Sequence, residues 1–562
     1  MNNLNFLVDV LKESPVFKTL EKNVKPGRTV CASGLSTINK SNIIYALCRL
    51  KGVTAFCLAS DEKEAQTLCN DLSCMGLRAY VYPVRDFNFL DFQSRSHEYE
   101  HARLKVLLKL LNHECDVAIA CVDAAAQLTV PRNVLEQSVI EFEEGRELSL
   151  EKATKALTLL GYERFDAVEG SGQFSLRGGI LDFFMPDSDY PVRCEFWGDE
   201  ITDLSYFDIE TQRRFKKADK ITLSPSTEIV IEDRAALADK IEHKAKLLRS
   251  KNSAKAKEKL FSEAELIRSG AMIANADKFI NQIYDKPESL FDYLDRNTLV
   301  FASEFTAIQE RGKSMDFISN ETLMQGFEDG TLCRGFDRFA LTFNECTEFL
   351  QSHGTIVLEN FVHGSMPIKL SEIISFSTKQ LSAWGGSYKQ LKEDVDGLFT
   401  PESKGVIFAG TERAAKNLCD TFNADGINAV YSEGADKISK GELLVMQGAL
   451  SAGFEYPSQK FFAITYSQVS YRPEKSKKKK KKTGQEIYSL SELAPGDYVV
   501  HNVHGIGVFG GIRKIDTHGV IKDYIKIDYA KGDVLYVPVT QLDMVAKYIG
   551  PKEDSRVKLN RL

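Results

Sequence analysis

The residues best placed to do chemistry are Gly34, Asn39, Lys40 and Ser41. They lie in Gly34-Leu-Ser-Thr-Ile-Asn39-Lys40-Ser41, which follows the apolar run Arg28-Thr-Val-Cys31 and opens a helical stretch. Strand, turn and helix in that order are the setting of a GxxxxGK[ST] loop: backbone amides cradle a phosphate, the lysine neutralises it and the hydroxyl holds magnesium. Asn39 occupies the place of the second glycine. Asn tolerates a left-handed backbone, but its side chain intrudes where the backbone must approach the phosphate. A site of this class also needs an Asp at the end of an apolar strand for magnesium, followed by Glu to activate water. In Leu299-Val-Phe-Ala-Ser303-Glu304 the Glu is present, but Ser303 holds the Asp position, and a neutral hydroxyl is a poor substitute for that carboxylate. With two losses in one site, we expect a retained fold around a vacant phosphate loop, no catalytic residue, and no metal or nucleotide cofactor. Asp61-Glu62 also follows an apolar run, and reads more simply as a helix N-terminal cap.

The elements around these residues are those of an α/β protein of several domains. Short apolar runs such as Val53-Thr-Ala-Phe-Cys-Leu58 alternate with helical stretches such as Asp61 to Leu72, the pattern of a parallel sheet. The charged helical stretch Ile231 to Asn281 needs no special role, and the strand at Leu299 is expected to complete the sheet. A third unit, Gly335 to Val469, alternates again: Gly405 to Ala409, a helix Glu412 to Phe422, then Asn428 to Tyr431. It has no carboxylate pair, nucleophile with a base, or metal cluster. His353 and His363 stand alone and read as ordinary histidines. With 562 residues, of which 43% are hydrophobic, several cores can be buried, and about 150 residues per domain suggests three to five domains. No run of 18 apolar residues is present, and the start has no signal-type core, so we expect a cytoplasmic protein without a membrane association. Eleven scattered cysteines, with no CxxC pair, read as reduced core residues. A net charge of -7 argues against wholesale nucleic-acid wrapping. The run Lys477, Lys478, Lys479, Lys480, Lys481, Lys482 repels itself and reads as a linker, with sequence-blind phosphate contact as the alternative role.

Two stretches read as protein interfaces. The first holds Gly172-Gln-Phe-Ser-Leu-Arg177-Gly-Gly-Ile-Leu-Asp182-Phe183, then Pro191-Val-Arg193-Cys-Glu195-Phe-Trp197, and closes with Phe207-Asp-Ile-Glu-Thr-Gln-Arg213. Arginine on a rigid sheet beside aromatics suits a docking surface. Pairing of Arg177 and Arg193 with Asp182, Glu195 or Asp199 within the sheet is the competing reading. The second stretch runs from Asp497 to Ile549, where Asp523-Tyr-Ile-Lys-Ile-Asp-Tyr529 alternates apolar and charged residues and Lys531-Gly532-Asp533 turns into Val534-Leu-Tyr-Val537. If Ile525 and Ile527 face outward beside an open edge, they would anchor an incoming strand, with Lys526 on the opposite face. If they face inward, they are core. His501, His504 and the glycines Gly505, Gly507, Gly510 and Gly511 shape strand bends, with no third ligand for a metal.

The phrases VVHxxHGIGxFxGI and LYVPVxQLDxVxKYIG resemble the polymerase-interacting domain shared by the Mfd family and CarD-type regulators, and the Arg177 and Arg193 phrases with FDxxTQR resemble the second domain of UvrB and Mfd. The resemblance to Mfd covers essentially the whole chain. UvrB fits less well, because its aromatic hairpin is missing where Tyr82-Pro-Val-Arg-Asp86 runs on towards a helix from Ser96 to Leu111.

The resemblance implies this organisation: 1–130 a UvrB-like domain 1a with a degenerate phosphate loop, 131–214 a UvrA-binding-like α+β domain 2, 215–332 domain 1b, 335–469 a helicase-derived domain 3, 470–486 a basic linker, 487–552 a small β-barrel (Tudor/CarD-like), and 553–562 a tail. It implies RNA polymerase β subunit and UvrA as partners, with Arg164, Arg177, Phe183 and Arg193 as UvrA-binding candidates and Ile525, Lys526 and Ile527 as polymerase-binding candidates. In the intact family, ATP, magnesium and double-stranded DNA serve a translocase motor. This sequence shows no second phosphate loop, so the expected function is a transcription-coupled repair adaptor. A DNA-stimulated ATPase and a stand-alone transcription regulator are the alternatives.

Overall fold

The computed structural model describes residues 4–85, 97–248, 254–270, 276–362, 366–381, 388–466, 484–486, 495–501, 504–517, 520–530, 533–538 and 545–548. The lysine run 477–482, His363, Trp384 and the stretch Asp86 to Ser96 lie outside these residues. The chain forms two units, 1–469 and 470–562.

At the centre of the first unit is a seven-stranded sheet. Its order is Glu372–Ser375, Val30–Ser33, Thr355–Leu358, Leu299–Ser303, Ala55–Ala59, Val117–Cys121 and Ala79–Tyr82. Every pairing is parallel. Side chains alternate between two cores: Val30, Ala32, Cys57 and Ala59 face one, and Cys31, Phe56 and Leu58 face the other. Burial on both faces is why these strands read as unbroken apolar runs. The strand at Leu299 does not complete the sheet as expected. Thr355–Leu358 and Glu372–Ser375, placed by the sequence reading in a third unit from residue 335, belong to this first sheet. Parallel pairing to Val30–Ser33 on both sides claims them, and no local pattern distinguishes one parallel sheet from its neighbour.

The third unit's own sheet is formed by Lys379–Leu381, Gly453–Tyr456, Phe461–Thr465, Lys404–Ala409, Glu442–Gln447 and Ala429–Ser432. Val406, Phe408, Met446 and Phe454 share one core with Ile43 and Ile44 of helix Thr37–Lys51 and Leu68 of helix Glu62–Cys74. Helix Thr37–Lys51 is therefore enclosed, with Ile38 to Cys48 all buried.

After Val130 the chain leaves the first sheet for an inserted module. Ile140–Glu143 pairs antiparallel with Lys220–Leu223 at its neck. The expected boundary at 214 is thus too early, because the returning strand at 220–223 closes the module. Beyond the neck stands a six-stranded sheet: Arg214–Lys217, Glu200–Phe207, Val192–Trp197, Ile180–Phe183, Gln173–Arg177 and Glu163–Arg164.

The second unit is a six-stranded antiparallel sheet ordered Gly484–Glu486, Val545–Tyr548, Tyr498–His501, Gly505–Thr517, Val520–Asp528 and Val534–Pro538. Among the described residues no pairing joins its two ends, and the expected barrel closure lies outside what they show. Gly507 is required by contact: a Cβ there would lie 2.5 Å from Ile527 Cγ2. Gly511 takes φ +90° where the register shifts between Phe509 and Ile512, a bulge that glycine accommodates. Among the described residues, no helix is long and apolar enough to cross a membrane.

Candidate functional site

The relict phosphate loop sits at the carboxyl ends of the parallel strands, where open α/β sheets bind ligands. Here that edge is filled from within. Lys40 Nζ lies 2.6 Å from Glu304 Oε1, 2.9 Å from Ser303 Oγ and 3.3 Å from Glu64 Oε1. Ser303 donates to Glu64 Oε1 at 2.5 Å. The lysine side chain is buried, and its charge is met by carboxylates of the protein itself. Lys40 and its hydrogen-bonding partners hold the Glu64 carboxyl below its ordinary range, against the opposing effect of burial. Glu359 is pushed up to about 7 by burial, reinforced by the neighbouring Glu304 carboxylate. Two carboxylates, Glu64 and Glu304, therefore pair with one ammonium, and the Glu359 carboxyl lies beside Glu304.

The backbone of the loop is committed too. Gly34 N–H donates to Asn360 O, and Leu35 N–H to Glu359 O. A Cβ on Gly34 would meet Phe376 O at 2.2 Å, so the segment after Glu372–Ser375 lies directly on the loop. Asn39 is fully buried and accepts from Ser36 Oγ at 2.6 Å. The buried phenol of Tyr456 lies near the side chains of Asn39 and Asn42. Ser41 donates to Asp71 at 3.4 Å, and Asp71 also accepts from Ser451 N and Ser451 Oγ, each at 2.7 Å. Burial pushes Asp71 up to about 6.

Every position that would handle nucleotide thus has an internal partner. The sequence pairing of Lys40 with Ser303 and Glu304 holds in space. Missed were Glu64 and Asp71, both on the helix Glu62–Cys74, and Glu359, which directly follows the strand Thr355–Leu358. Glu304 adopts φ 58°, ψ 66° at the start of helix Phe305–Asp329. That left-handed conformation costs a non-glycine residue roughly 1–2 kcal/mol, and its contacts to Lys40 and to Asn360 N–H offset it. Asp61 caps its helix by accepting from Glu64 N–H, as expected.

The inserted sheet offers an outward surface. Along Val192–Trp197 the residues alternate: Val192, Cys194 and Phe196 are buried, and Arg193, Glu195 and Trp197 face out. Asp182 pairs across from Arg193 and is covered by it, with Arg193 Nε to Asp182 Oδ1 at 2.7 Å and Nη2 to Oδ2 at 2.8 Å. Arg177 reaches the same carboxylate at 2.8 Å and stays half exposed. Arg193 also stacks on Phe207, 4.4 Å from the ring centroid, and is mostly buried. For Arg193 the internal-pairing reading therefore holds. Phe183 points into the core against Phe142 and is fully buried, so it cannot touch a partner. Arg164 lies exposed on the short outer strand. Sequence reasoning passed over Trp197, on the face that carries Arg177 and Arg193, although the two-residue period from Arg193 points to it.

In the second unit the strand Val520–Asp528 is internal, paired on both sides. Ile525 and Ile527 are fully buried, which corrects the outward reading: they are core. Lys526 bonds to Asp528 at 2.8 Å. Among the described residues Val534–Pro538 is paired on one side only, with Val534 and Tyr536 exposed. His501 is buried, and burial lowers its pKa. His353 bonds to Thr298 O at 2.9 Å. Among the described residues no group of His, Cys, Asp and Glu could hold a metal ion.

Comparison with known proteins agrees with these modules. The UvrB interaction domain family matches residues 140–229, from the neck strand through its return, and the CarD-like/TRCF RID domain family matches 493–549. A transcription-repair-coupling factor of Bacillus subtilis (strain 168) is 29% identical over 98% of this chain and 48% of its own length. The chain is similar to this factor along nearly its whole length. Relatives of the same name from Staphylococcus haemolyticus (27% identical, 86% of this chain, 42% of the relative) and Staphylococcus aureus (strain MRSA252; 24%, 100% and 48%) align along it as well. The chain spans about half the length of the curated relatives it matches.

Proposed function

We propose that this chain is the recruiting part of a transcription-coupled DNA repair factor, binding the RNA polymerase β subunit through residues 493–549 and UvrA through residues 140–229. The observation that carries this reading is that each family-matched module is a sheet of its own with an outward feature: the Arg177 face in one, the Val534–Pro538 edge in the other. An edge strand offers main-chain groups to an incoming strand, and exposed side chains beside it supply contact area. The relict loop takes no part. With Lys40 enclosed by Glu64, Ser303 and Glu304, nucleotide binding would require breaking a buried ion pair, which disfavours the ATPase reading. ATP, magnesium and DNA translocation belong, in this proposal, to the intact family's motor.

The test is binding of this chain to purified polymerase β subunit and to UvrA in one assay. Tyr536→Lys is expected to weaken polymerase binding alone, and Arg177→Glu to weaken UvrA binding alone. If the unaltered chain binds neither, the reading fails.

A further inference from the structure

We infer that the hairpin tip at Trp197 is an anchor of the inserted module, and that its occupant is a protein partner presenting an apolar socket rimmed by Lys or Arg. Trp197 is 82% exposed, the most exposed of the large apolar side chains described. Its neighbour Phe196 is buried, so the strand is anchored immediately before the indole and the exposure does not come from a frayed end. The tip is also braced. Leu148 N–H donates to Asp199 O at 2.7 Å, Ile201 N–H to Arg146 O at 3.1 Å, and Gly145 N–H to Ile201 O at 2.7 Å. Phe196 N–H donates to Gly179 O, and a Cβ on Gly179 would lie 2.7 Å from Phe196 O. An indole on a rigid tip gives large contact area with little ordering cost on binding, which is the profile of an interface hot spot.

The electrostatics select the partner. Asp199, Glu200 and Glu147 are exposed at the same tip, with Glu147 and Glu200 bridged by backbone, and none of the three has an ion-pair partner among the described residues. Farther down the sheet the acids are already answered: Glu195 and Asp203 by Arg214, and Asp182 by Arg177 and Arg193. The unanswered negative charge thus surrounds Trp197, and a cationic rim complements it. The surface continues the face that carries Arg177, so the inference rests on the reading of 140–229 as the UvrA-docking module and adds its anchor residue.

The experiment measures the affinity of the whole chain for purified UvrA, with Trp197→Ala, Trp197→Phe and Asp199→Lys/Glu200→Lys variants whose melting temperatures match the parent. Trp197→Ala is expected to weaken binding at least about tenfold. Trp197→Phe is expected to recover most of that loss, and the charge reversal to weaken binding more at low salt than at high salt. If the parent binds UvrA and Trp197→Ala binds equally well, the anchor is refuted while the docking reading stands. If the parent does not bind UvrA, both fall.

Discussion

The Lys40 site and the outer face of the inserted sheet are built from the same material, cations held by carboxylates, and differ in what covers them. At Lys40 the partners converge from Glu64, Ser303 and Glu304, and Glu359, Asn360, Phe376 and Thr378 lie against the loop. At Asp182 the partners Arg177 and Arg193 come from the same sheet; Gln212 and Phe207 cover Arg193, while Arg177 stays half exposed. An ion pair closed on every side is fold, and the same pair left open on one side is surface. Residue type alone does not separate the two cases, because both present as a basic residue within an apolar pattern.

The comparison can be broken most directly at Lys40. Lys40→Met leaves buried carboxylates without their counter-charge, and is expected to cost about 3–5 kcal/mol of unfolding free energy in chemical denaturation. Adding Glu64→Gln and Glu304→Gln should recover much of that loss. A cost below about 1 kcal/mol would show that Lys40 is not enclosed as described.

On the open face, Asp182→Asn weakens a carboxylate that serves two arginines, and is expected to cost about 2 kcal/mol, read as a lower denaturation midpoint. Arg177→Glu, on the exposed side of the same pair, should cost less than about 1 kcal/mol. Equal losses from the two changes would mean that Arg177 is as buried as its partner.

Glu359 gives a pH signature. Its folded pKa is raised to about 7. The group therefore binds its proton more tightly in the folded than in the unfolded chain, and its contribution to stability is full below its ordinary carboxylate pKa and lost as pH rises through about 7. Glu359→Gln should flatten the stability profile between about pH 4.5 and 7, and stabilise the chain above pH 7 by on the order of 2 kcal/mol. An unchanged slope would remove Glu359 from this role. Glu64, held low by Lys40, acts in the opposite sense and lowers stability as the medium becomes acidic. The smallest stability effect is expected at Trp197, where truncation to Ala should stay within about 0.5 kcal/mol because so little of the indole is buried.

Much of this molecule is legible in its sequence. The apolar runs at Val30–Ser33, Ala55–Ala59 and Leu299–Ser303 announce parallel strands, because a sheet buried on both faces needs every side chain apolar. Asn39 and Ser303 already depart, in the sequence, from the phosphate-loop and magnesium patterns, because phosphate and magnesium tolerate few residue types at those places. The two interface phrases mark modules that the family models also match.

What the sequence could not supply is which face a residue takes and what lies against it. Ile525 and Ile527 alternate as either edge or core strands would; their strand is paired on both sides, and the packing of their face against Val499, Phe509, Val537 and Val545 makes them core. Phe183 and Trp197 are both aromatics in strands of one sheet, and the layer beneath it hides the first and leaves the second in water. The fate of Lys40 was decided by Glu64, Glu304 and a strand more than three hundred residues away, since the parallel sheet brings together chain ends that no local pattern connects.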